Sequence, residues 1–249
     1  MVRADIKQSD KFFWHRYVDF YEPYFAALDE PKNIVEFGVF HGDSIRYLAE
    51  RFPSAEIVGC DILQPQHEWP TGDRIRYAVL DQNDPAQIEG MFRALPTDLD
   101  MVIEDGSHDP IHQRYCLVAS LPRIRSGGIY ILEDLHTSQS GHPLAQQPTT
   151  IGRLNSYNLL LAFEHFLSTD AELKDYDVEQ LSTTSLFSAG EIRELFDRVA
   201  AVAIYHRSTL PLRCWSCAST DFDYATIKCK CGGDLMSDAD SIAAVITIK

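Results

Sequence analysis

Acidic residues and histidines follow directly on two short apolar stretches of the chain. In DLDMVIEDGSHDPIHQ (98–113), the apolar run is followed by Asp105 and His108. In GGIYILEDLHTS (127–138), a second apolar run ends in an acidic pair. Carboxylates and imidazoles bind divalent metals and move protons, so both stretches are candidates for a reactive site.

The acidic pair is Glu133 and Asp134. If the two apolar runs are neighbouring strands of one parallel sheet, Asp105 converges with this pair at the carboxyl ends of the strands. Carboxylates that lie so close repel each other strongly unless a cation lies between them. Oxygen ligands favour Mg²⁺, Mn²⁺ or Ca²⁺ over Zn²⁺. The sequence therefore predicts a divalent-metal site at this edge of the sheet.

His108 lies three residues beyond Asp105, across a turn that contains Gly106. A neutral imidazole at this position can take a proton from a substrate hydroxyl next to the metal. We interpret His112 as a supporting residue on a helix, and His136 as a supporting residue beside the acidic pair. Glu104 precedes Asp105 and is expected to face the other side of the sheet, where a structural pairing is predicted.

A second group of candidate residues follows the earlier strands. VEFGVFHGDS (35–44) ends one strand and begins a helix, and its two glycines allow a tight turn and a close approach to a ligand. Acids end the next two strands, and the first of them comes 25 residues after Glu36, the usual place for an acid that binds ribose hydroxyls. The candidate ligand-binding residues are Glu36, Gly38, Gly42, Ser44, Asp61 and Asp81.

The chemistry of this group favours a nucleoside without phosphates. The glycines do not form a G-x-G-x-x-G motif, and no lysine follows them as in a phosphate-binding loop. The predicted site has acids and no basic residue, so a pyrophosphate is a poor ligand for it. S-adenosylmethionine, a nucleoside with a cationic centre, fits better. The alternative is an ordinary strand-to-helix turn.

Strands and helices alternate through the first half of the chain, which predicts an α/β fold with a doubly wound, mostly parallel sheet. The predicted strands are 33–37, 56–61, 74–81, 99–105 and 127–134, and the predicted helices are 43–52, 84–95 and 112–124. Residues 10–29 have helical spacing, with Pro23 as a break or kink. Later segments predict a loop at 135–150, helices at 151–168 and 191–199, and an antiparallel sheet edge from strands 200–206 and 241–248.

Four cysteines, Cys214, Cys217, Cys229 and Cys231, form two close pairs with intervening segments of 2, 11 and 1 residues. Four thiolates from two short turns suit a tetrahedral zinc ion with a structural role. The alternative is four free thiols near a hairpin. The other two cysteines lie in or beside predicted regular elements, so we expect reduced or metal-bound cysteines and a cytoplasmic location.

Composition excludes several classes of function. The formal net charge is −15, with 45% hydrophobic and 24% charged residues, which argues against binding a nucleic-acid backbone. No apolar window is long enough for a membrane span, and the first residues do not have the pattern of a secretory signal. We therefore expect no nucleic-acid or membrane partner.

VIEDGSHDPIHQ and GGIYILEDLHTS together resemble the metal-dependent sugar O-methyltransferases of macrolide biosynthesis, the macrocin and mycinamicin type. The resemblance covers about residues 30–160. It implies a class I, Rossmann-like methyltransferase fold and methyl transfer to a hydroxyl of a sugar or another secondary metabolite, as in antibiotic biosynthesis. It also implies Mg²⁺ ligands at Asp105, Glu133 and Asp134, a general base at His108, and an S-adenosylmethionine site that includes Glu36, Gly38, Asp61 and Asp81.

The resemblance does not extend to the cysteines, and it leaves the acceptor and the oligomeric state open. We expect a small-molecule acceptor, a glycoside, and the chain is a candidate homo-oligomer. The expected organisation is an N-terminal helical segment (1–30), a methyltransferase domain (31–211), a zinc knuckle (212–234) and a closing strand of the main sheet (235–249).

Two other functions fit the residues. One is a metal-dependent hydroxylase-like enzyme of the same fold, whose iron site would need a second histidine from His112 or His136. The other is a non-catalytic binding protein in which the knuckle docks a partner, although the intact set of acids argues against it.

Overall fold

The computed structural model describes residues 9–236 and 241–249. The strands are β1 (Asn33–Phe37), β2 (Glu56–Asp61), β3 (Ile75–Val79), β4 (Leu99–Glu104), β5 (Ile124–Leu132), β6 (Val199–His206), β7 (Phe222–Asp223), β8 (Lys228–Cys229) and β9 (Ile242–Ile248). The helices are α1 (Asp10–Phe13), α2 (Tyr17–Ala27), α3 (Asp43–Arg51), α4 (Pro85–Arg93), α5 (Pro110–Ser120), α6 (Ser156–Ser168), α7 (Asp175–Thr183) and α8 (Ala189–Arg198).

Seven of the strands form one sheet in the order β3-β2-β1-β4-β5-β9-β6. β1 to β5 pair in parallel, and β9 runs antiparallel to both β5 and β6. The chain order reverses between β1 and β4, which is the topological switch point where ligands bind in open α/β sheets. The predicted α/β class and mostly parallel doubly wound sheet are confirmed.

Alternation along the strands divides the core into two layers. Val35, Phe37 and Val102 face a cluster that includes buried residues of α4 to α8. Ile34 and Ile103 face the opposite cluster, with buried residues of α2 and α3. Since side chains alternate across a strand, Glu104 continues the α5 face of β4, and Asp105 turns to the face covered by the N-terminal helices. The sheet therefore separates two acids that are adjacent in sequence.

Several predicted boundaries are wrong. The N-terminal helix breaks at Arg16, whose φ of 57° is left-handed, and α2 continues through Pro23. Helix α6 begins at Ser156 rather than 151, because Asn155 and Asn158 form a capping box. Two short 3₁₀ helices, Leu135–Ser138 and Pro143–Gln146, lie in the predicted loop. Helix α7 was not predicted.

The last predicted strand, 241–248, corresponds to β9 of the main sheet. Residues 1–8 of the predicted N-terminal segment and 237–240 of the predicted closing segment lie outside the described residues. Within the described ranges, no helix is long and apolar enough to cross a membrane.

Candidate metal and cofactor site

Backbone hydrogen bonds bring the predicted metal-binding acids together. The Asp105 amide donates to the carbonyl oxygen of Phe37 at 2.9 Å, and the Glu133 amide donates to the carbonyl oxygen of Glu104 at 3.0 Å. β1, β4 and β5 therefore end side by side. The residues that follow these strands lie on one rim of the sheet, as the sequence predicts.

A buried lysine that the sequence analysis missed lies among these acids. Lys11 of α1 places its Nζ 2.7 Å from Asp105 Oδ2, 2.7 Å from Glu133 Oε1 and 3.2 Å from Glu36 Oε1. Burial disfavours the ammonium charge, yet the three carboxylates raise the pKa of Lys11 well above its usual value. The expectation of a site without a basic residue is therefore wrong. Lys11 and Glu133 are 122 positions apart, and no local pattern marks this contact.

Asp134 has different partners. The Tyr17 hydroxyl donates to Asp134 Oδ1 at 2.7 Å, and His108 Nε2 lies 3.6 Å from Oδ2. His136 Nδ1 lies 3.9 Å from Oδ1. Although burial favours the neutral acid, His15, His108 and His136 hold the pKa of Asp134 below its usual value. Asp134 is thus the acid of this rim that stays ionised most easily.

Asp105, His108 and Asp134 form a group that could hold a metal ion, since one ligand atom from each lies within 4.8 Å of the others. Glu133 instead contacts Lys11, and its role as a ligand stays a prediction. His112 is not part of this group, and its Nδ1 shares a 2.7 Å hydrogen bond with Ser107 Oγ. The group has one histidine, so it does not favour the two-histidine iron site.

The charges of the rim fit a divalent cation. Burial raises the pKa of Asp105 and of Glu133, so ionising either acid without a nearby cation costs free energy. Among the described residues, Glu36, Asp105 and Glu133 share the charge of Lys11, and the histidines near Asp134 are cationic only when protonated. Two carboxylates with water are a common donor set for Mg²⁺.

Close packing of the glycine turn explains its residue types. Gly38 has a φ of 89°, and a Cβ there would lie 1.9 Å from the carbonyl oxygen of Asp105. Gly42 has a φ of 75°, and a Cβ there would lie 2.5 Å from Pro70 Cδ. A side chain at Gly38 would push the turn away from the rim, and one at Gly42 would collide with Pro70, so glycine is required at both positions.

Two of the predicted cofactor acids, Glu36 and Asp61, form hydrogen bonds with residues of this turn. Ser44 Oγ donates to Glu36 Oε1 at 2.6 Å, and Glu36 is fully buried. Asp61 Oδ2 accepts from the Val39 amide at 2.9 Å, which fixes this carboxylate beside the turn. Asp81 lies beyond β3, where its Oδ1 accepts from the Asn83 amide at 2.8 Å.

Gln82 is a second residue that the sequence analysis missed. Its Nε2 donates to Glu104 Oε1 at 2.7 Å, and its Oε1 accepts from the Ser107 amide at 2.8 Å. Glu104 therefore has the structural pairing that was predicted. Burial raises the pKa of Glu104 to about 7. Gln82 thus connects the end of β3 to the turn that carries His108.

A cavity of about 350 Å³ opens between the turn and the rim. Gly38, Ser44, Asp105, His108 and Asp134 line it, together with residues 9–11, Phe13 and Trp215. Glu36, Gly42, Asp61 and Asp81 are not among its lining residues. The volume falls in the range of small-ligand sites, and apolar walls with a few convergent polar groups are typical of them.

The four predicted zinc ligands also come together. Cys214 Sγ lies 3.7 Å from Cys231 Sγ, and Cys217 Sγ lies 3.5 Å from Cys229 Sγ. All four sulfur atoms lie within 4.8 Å of one another. Burial works against a Cys214 thiolate, but the amides of Cys217 and Ser216 lower the pKa of Cys214 to about 7. Four converging thiols, one of which ionises readily, fit a tetrahedral zinc ion.

Comparison with known proteins finds relatives among sugar O-methyltransferases. The 8-demethyl-8-alpha-L-rhamnosyl tetracenomycin-C 2'-O-methyltransferase of Streptomyces olivaceus is 35% identical over 139 residues, which cover 52% of this chain and 36% of that protein. The mycinamicin VI 2''-O-methyltransferase of Micromonospora griseorubida is 30% identical over 167 residues, 61% of this chain and 41% of that protein. The demethylmacrocin O-methyltransferase of Streptomyces fradiae is 33% identical over 132 residues, 50% of this chain and 33% of that protein.

Among solved structures, MycE methyltransferase from the mycinamycin biosynthetic pathway, in complex with Mg and SAH, has a TM-score of 0.65 at 22% identity. The match covers 99% of this chain and 55% of that one, and it confirms the methyltransferase fold. No family model matches the chain. The chain spans 33–41% of the length of the curated relatives described above. The predicted resemblance to the macrocin and mycinamicin type is confirmed by these relatives.

Proposed function

We propose that this chain, a relative of the sugar O-methyltransferases, transfers the methyl group of S-adenosylmethionine to a sugar hydroxyl of a glycosylated natural product. The observation that carries the proposal is the group formed by Asp105, His108 and Asp134, which lines one cavity together with the glycine turn. The relatives are named for rhamnosyl tetracenomycin, mycinamicin VI and demethylmacrocin as substrates, so a glycoside is the acceptor class that we infer.

The cofactor site in this proposal lies on the β1–β3 half of the sheet. Gly38 lets the backbone of the turn approach the cofactor, and Ser44 lies in the cavity wall. Asp61, which accepts a hydrogen bond from the Val39 amide beside the turn, is the acid that would bind the ribose hydroxyls. Asp81 and Glu36 contribute negative charge near a cationic ligand, and Gly42 sets the start of α3.

The metal ligands in this proposal are Asp105 and Asp134, with Glu133 as a third acid that Lys11 contacts in the structure described here. When bound, Mg²⁺ would stabilise negative charge on the acceptor oxygen. Asp105 and Asp134 would also orient the acceptor, since both line the cavity. Positioning is the main requirement for an in-line methyl transfer.

His108 is the general base in this proposal. Its Nε2 lies 3.6 Å from Asp134 Oδ2, and its buried Nδ1 has no hydrogen-bond partner among the described residues. Burial disfavours the imidazolium, but Asp134, Asp105 and Glu104 raise the pKa of His108, so the ring is a better proton acceptor than an isolated imidazole. As the acceptor oxygen bonds to the methyl carbon, the carbon–sulfur bond breaks and the hydroxyl proton passes to His108.

Turnover tests the proposal directly. The chain is incubated with S-adenosylmethionine, Mg²⁺ and each of a panel of glycosides, and S-adenosylhomocysteine is measured. Chelation should abolish turnover and Mg²⁺ should restore it. Asp134→Asn should raise the Mg²⁺ concentration required, because one charged ligand is lost while the shape is kept.

Replacing His108 should show whether this residue is the proton acceptor or a metal ligand. His108→Ala should lower the rate by about 10²–10⁴-fold, the usual contribution of a general base, while cofactor and Mg²⁺ still bind. His165→Ala, an exposed histidine on α6, serves as the control. Full activity in chelator would exclude the metal. If His108→Ala abolishes Mg²⁺ binding instead, His108 is a ligand and His136 is the next residue to test as the base.

We also propose that Cys214, Cys217, Cys229 and Cys231 bind a structural zinc ion. In the described part of the chain, the segment that carries these cysteines contains two short turns and the two-residue strands β7 and β8. Metal analysis of the protein purified without added zinc should give about one zinc per chain, from the count of four ligands. If no zinc is found and the four cluster thiols react in the native state, the site is excluded.

A further inference from the structure

Trp215 connects the cysteine cluster to the cavity. It lies between Cys214 and Cys217, and it lines the same cavity as Asp105, His108 and Asp134. Its side chain is 54% exposed, which is unusual for a tryptophan that packs against other rings. The exposed part of the ring is therefore available to a ligand.

The neighbouring segments hold this tryptophan in place. Its ring stacks on Phe13 with centroids 5.9 Å apart and meets the edge of Trp14 at 6.1 Å. The Leu212 amide donates to the carbonyl oxygen of Phe13 at 2.7 Å. Arg207 Nη1 donates to the carbonyl oxygen of Trp14 at 2.8 Å. The cysteine segment (212–234) and α1 thus form one wall, in which neighbouring residues support an exposed aromatic ring.

The position of this wall in the fold indicates which ligand it would contact. The proposed cofactor residues follow β1, β2 and β3, on one side of the switch point. The wall adjoins the ends of β4 and β5 in the other half of the sheet, because Lys11 of α1 contacts Asp105 and Glu133. The acceptor would have to reach the rim from this second half.

We propose that Trp215, supported by Phe13, binds the apolar face of the acceptor glycoside, and that zinc in the cysteine cluster keeps Trp215 in position. This inference rests on the proposed function and names an acceptor-binding residue for it. A glycoside offers hydroxyls to the acidic rim and a C–H face to an aromatic ring, which matches a cavity lined by acids and by the aromatic rings of Phe13 and Trp215. The role is binding and not catalysis, since Trp215 has no group that titrates.

Zinc matters in this inference because the cysteine segment (212–234) buries few side chains of its own. Its buried cluster consists of Cys214, Cys229 and Leu235, with Leu210 and Phe222 packed against it. A core of this size does not hold a fold without a metal or another cross-link. Loss of zinc should therefore release Trp215 and have the same effect on acceptor binding as its removal.

Calorimetry tests the inference separately from turnover. Mycinamicin VI and methyl α-L-rhamnoside are titrated into the full chain loaded with S-adenosylhomocysteine and Mg²⁺. Trp215→Ala should weaken acceptor binding about tenfold and leave the affinity for S-adenosylhomocysteine unchanged, and Trp215→Phe should recover most of the loss. Tyr224→Ala is the matched control, because Tyr224 is a 70% exposed aromatic residue of the same segment that does not line the cavity.

The two probes distinguish the part of the acceptor that is bound. A loss for both probes supports contact with the sugar ring, and a loss for mycinamicin VI alone supports contact with the aglycone. Unchanged affinity of Trp215→Ala for both probes, or no binding of either probe to the unmodified chain, would overturn the inference.

The zinc link has its own outcome. Cys214→Ser should lower the zinc content and weaken acceptor binding as much as Trp215→Ala, with the cofactor affinity retained. Loss of zinc with full acceptor binding would overturn the link between the cluster and the cavity. If acceptors bind through Trp215 but no glycoside is methylated, the proposed function fails while the acceptor surface stands.

Discussion

Replacing Lys11 by methionine should destabilise the chain strongly in chelator and much less in Mg²⁺. Methionine keeps most of the length of the side chain and removes its charge. The Nζ of Lys11 lies 2.7 Å from Asp105 and from Glu133 and 3.2 Å from Glu36, and all four side chains are largely buried. Removing one partner of a buried ion pair usually costs about 3–5 kcal/mol, because the remaining charge loses its compensation. We expect a loss of this size in the free energy of unfolding.

Mg²⁺ should offset part of that loss. A ligand present at about 100 times its Kd stabilises the folded state by about 2.7 kcal/mol. Lys11 lies in contact with Asp105, a proposed metal ligand, so its charge opposes a second cation at the rim. The methionine variant should therefore bind Mg²⁺ more tightly than the unmodified chain and gain more stability from it.

Urea unfolding followed by circular dichroism, with chelator and with excess Mg²⁺, measures both effects. Lys32→Met is the control, because the side chain of Lys32 is 55% exposed and its contact with Glu30 lies at the surface. A loss below about 1 kcal/mol in chelator would refute the claim that Lys11 compensates the acids, given the usual cost of such a change. An equal loss with and without Mg²⁺ would refute the claim that Lys11 opposes a cation at this rim, and a metal site there would be refuted if Mg²⁺ stabilised neither chain.

Two further predictions concern single carboxylates. Asp61→Ala should weaken S-adenosylmethionine binding by about 1.5–3 kcal/mol, the scale of a hydrogen bond to a charged group, and unchanged affinity in calorimetry would remove Asp61 from the cofactor site. Burial raises the pKa of Glu104 from an ordinary 4.5 to about 7, so the folded state keeps a proton that the unfolded chain has released. The stability from this group is fully present below about pH 4.5 and is lost as the pH rises to about 7, in total about 3 kcal/mol. Glu104→Gln mimics the protonated acid and should remove this decline, which urea unfolding at several pH values measures; a decline of the same size in the variant would contradict the assignment.

The sequence predicted the acids of the rim because a general rule places them. The carboxyl ends of parallel strands meet at one edge of a sheet, so residues that follow β4 and β5 in sequence must lie together. Asp105 and Asp134 follow this rule, and so does Glu133. The separation of Glu104 from Asp105 also follows from the sequence, since strand side chains alternate between faces.

Contacts between distant segments do not follow from such rules. Lys11 lies in a short helix before the first strand, and its contacts with Glu36 and Glu133 depend on how α1 packs over the finished sheet. The helix breaks at Arg16, although Pro23 is the stronger local signal for a break. The break predicted at Pro23 is wrong. Trp215 reaches the cavity for the same reason, through tertiary packing on Phe13 and Trp14.

The strand-end acids fall into two sets that have different partners. Glu36 and Glu133 contact Lys11, which provides a compensating charge without any metal. Burial favours a neutral Asp134, but the surrounding histidines and the Tyr17 hydroxyl lower its pKa below the usual value. Asp105 belongs to both sets, because one of its oxygens contacts Lys11 and it also lies in the group with His108. The lysine therefore allows the acids to be buried in the folded chain, and the carboxylate charge that it leaves uncompensated is what would draw a divalent ion to the end of β4 and β5.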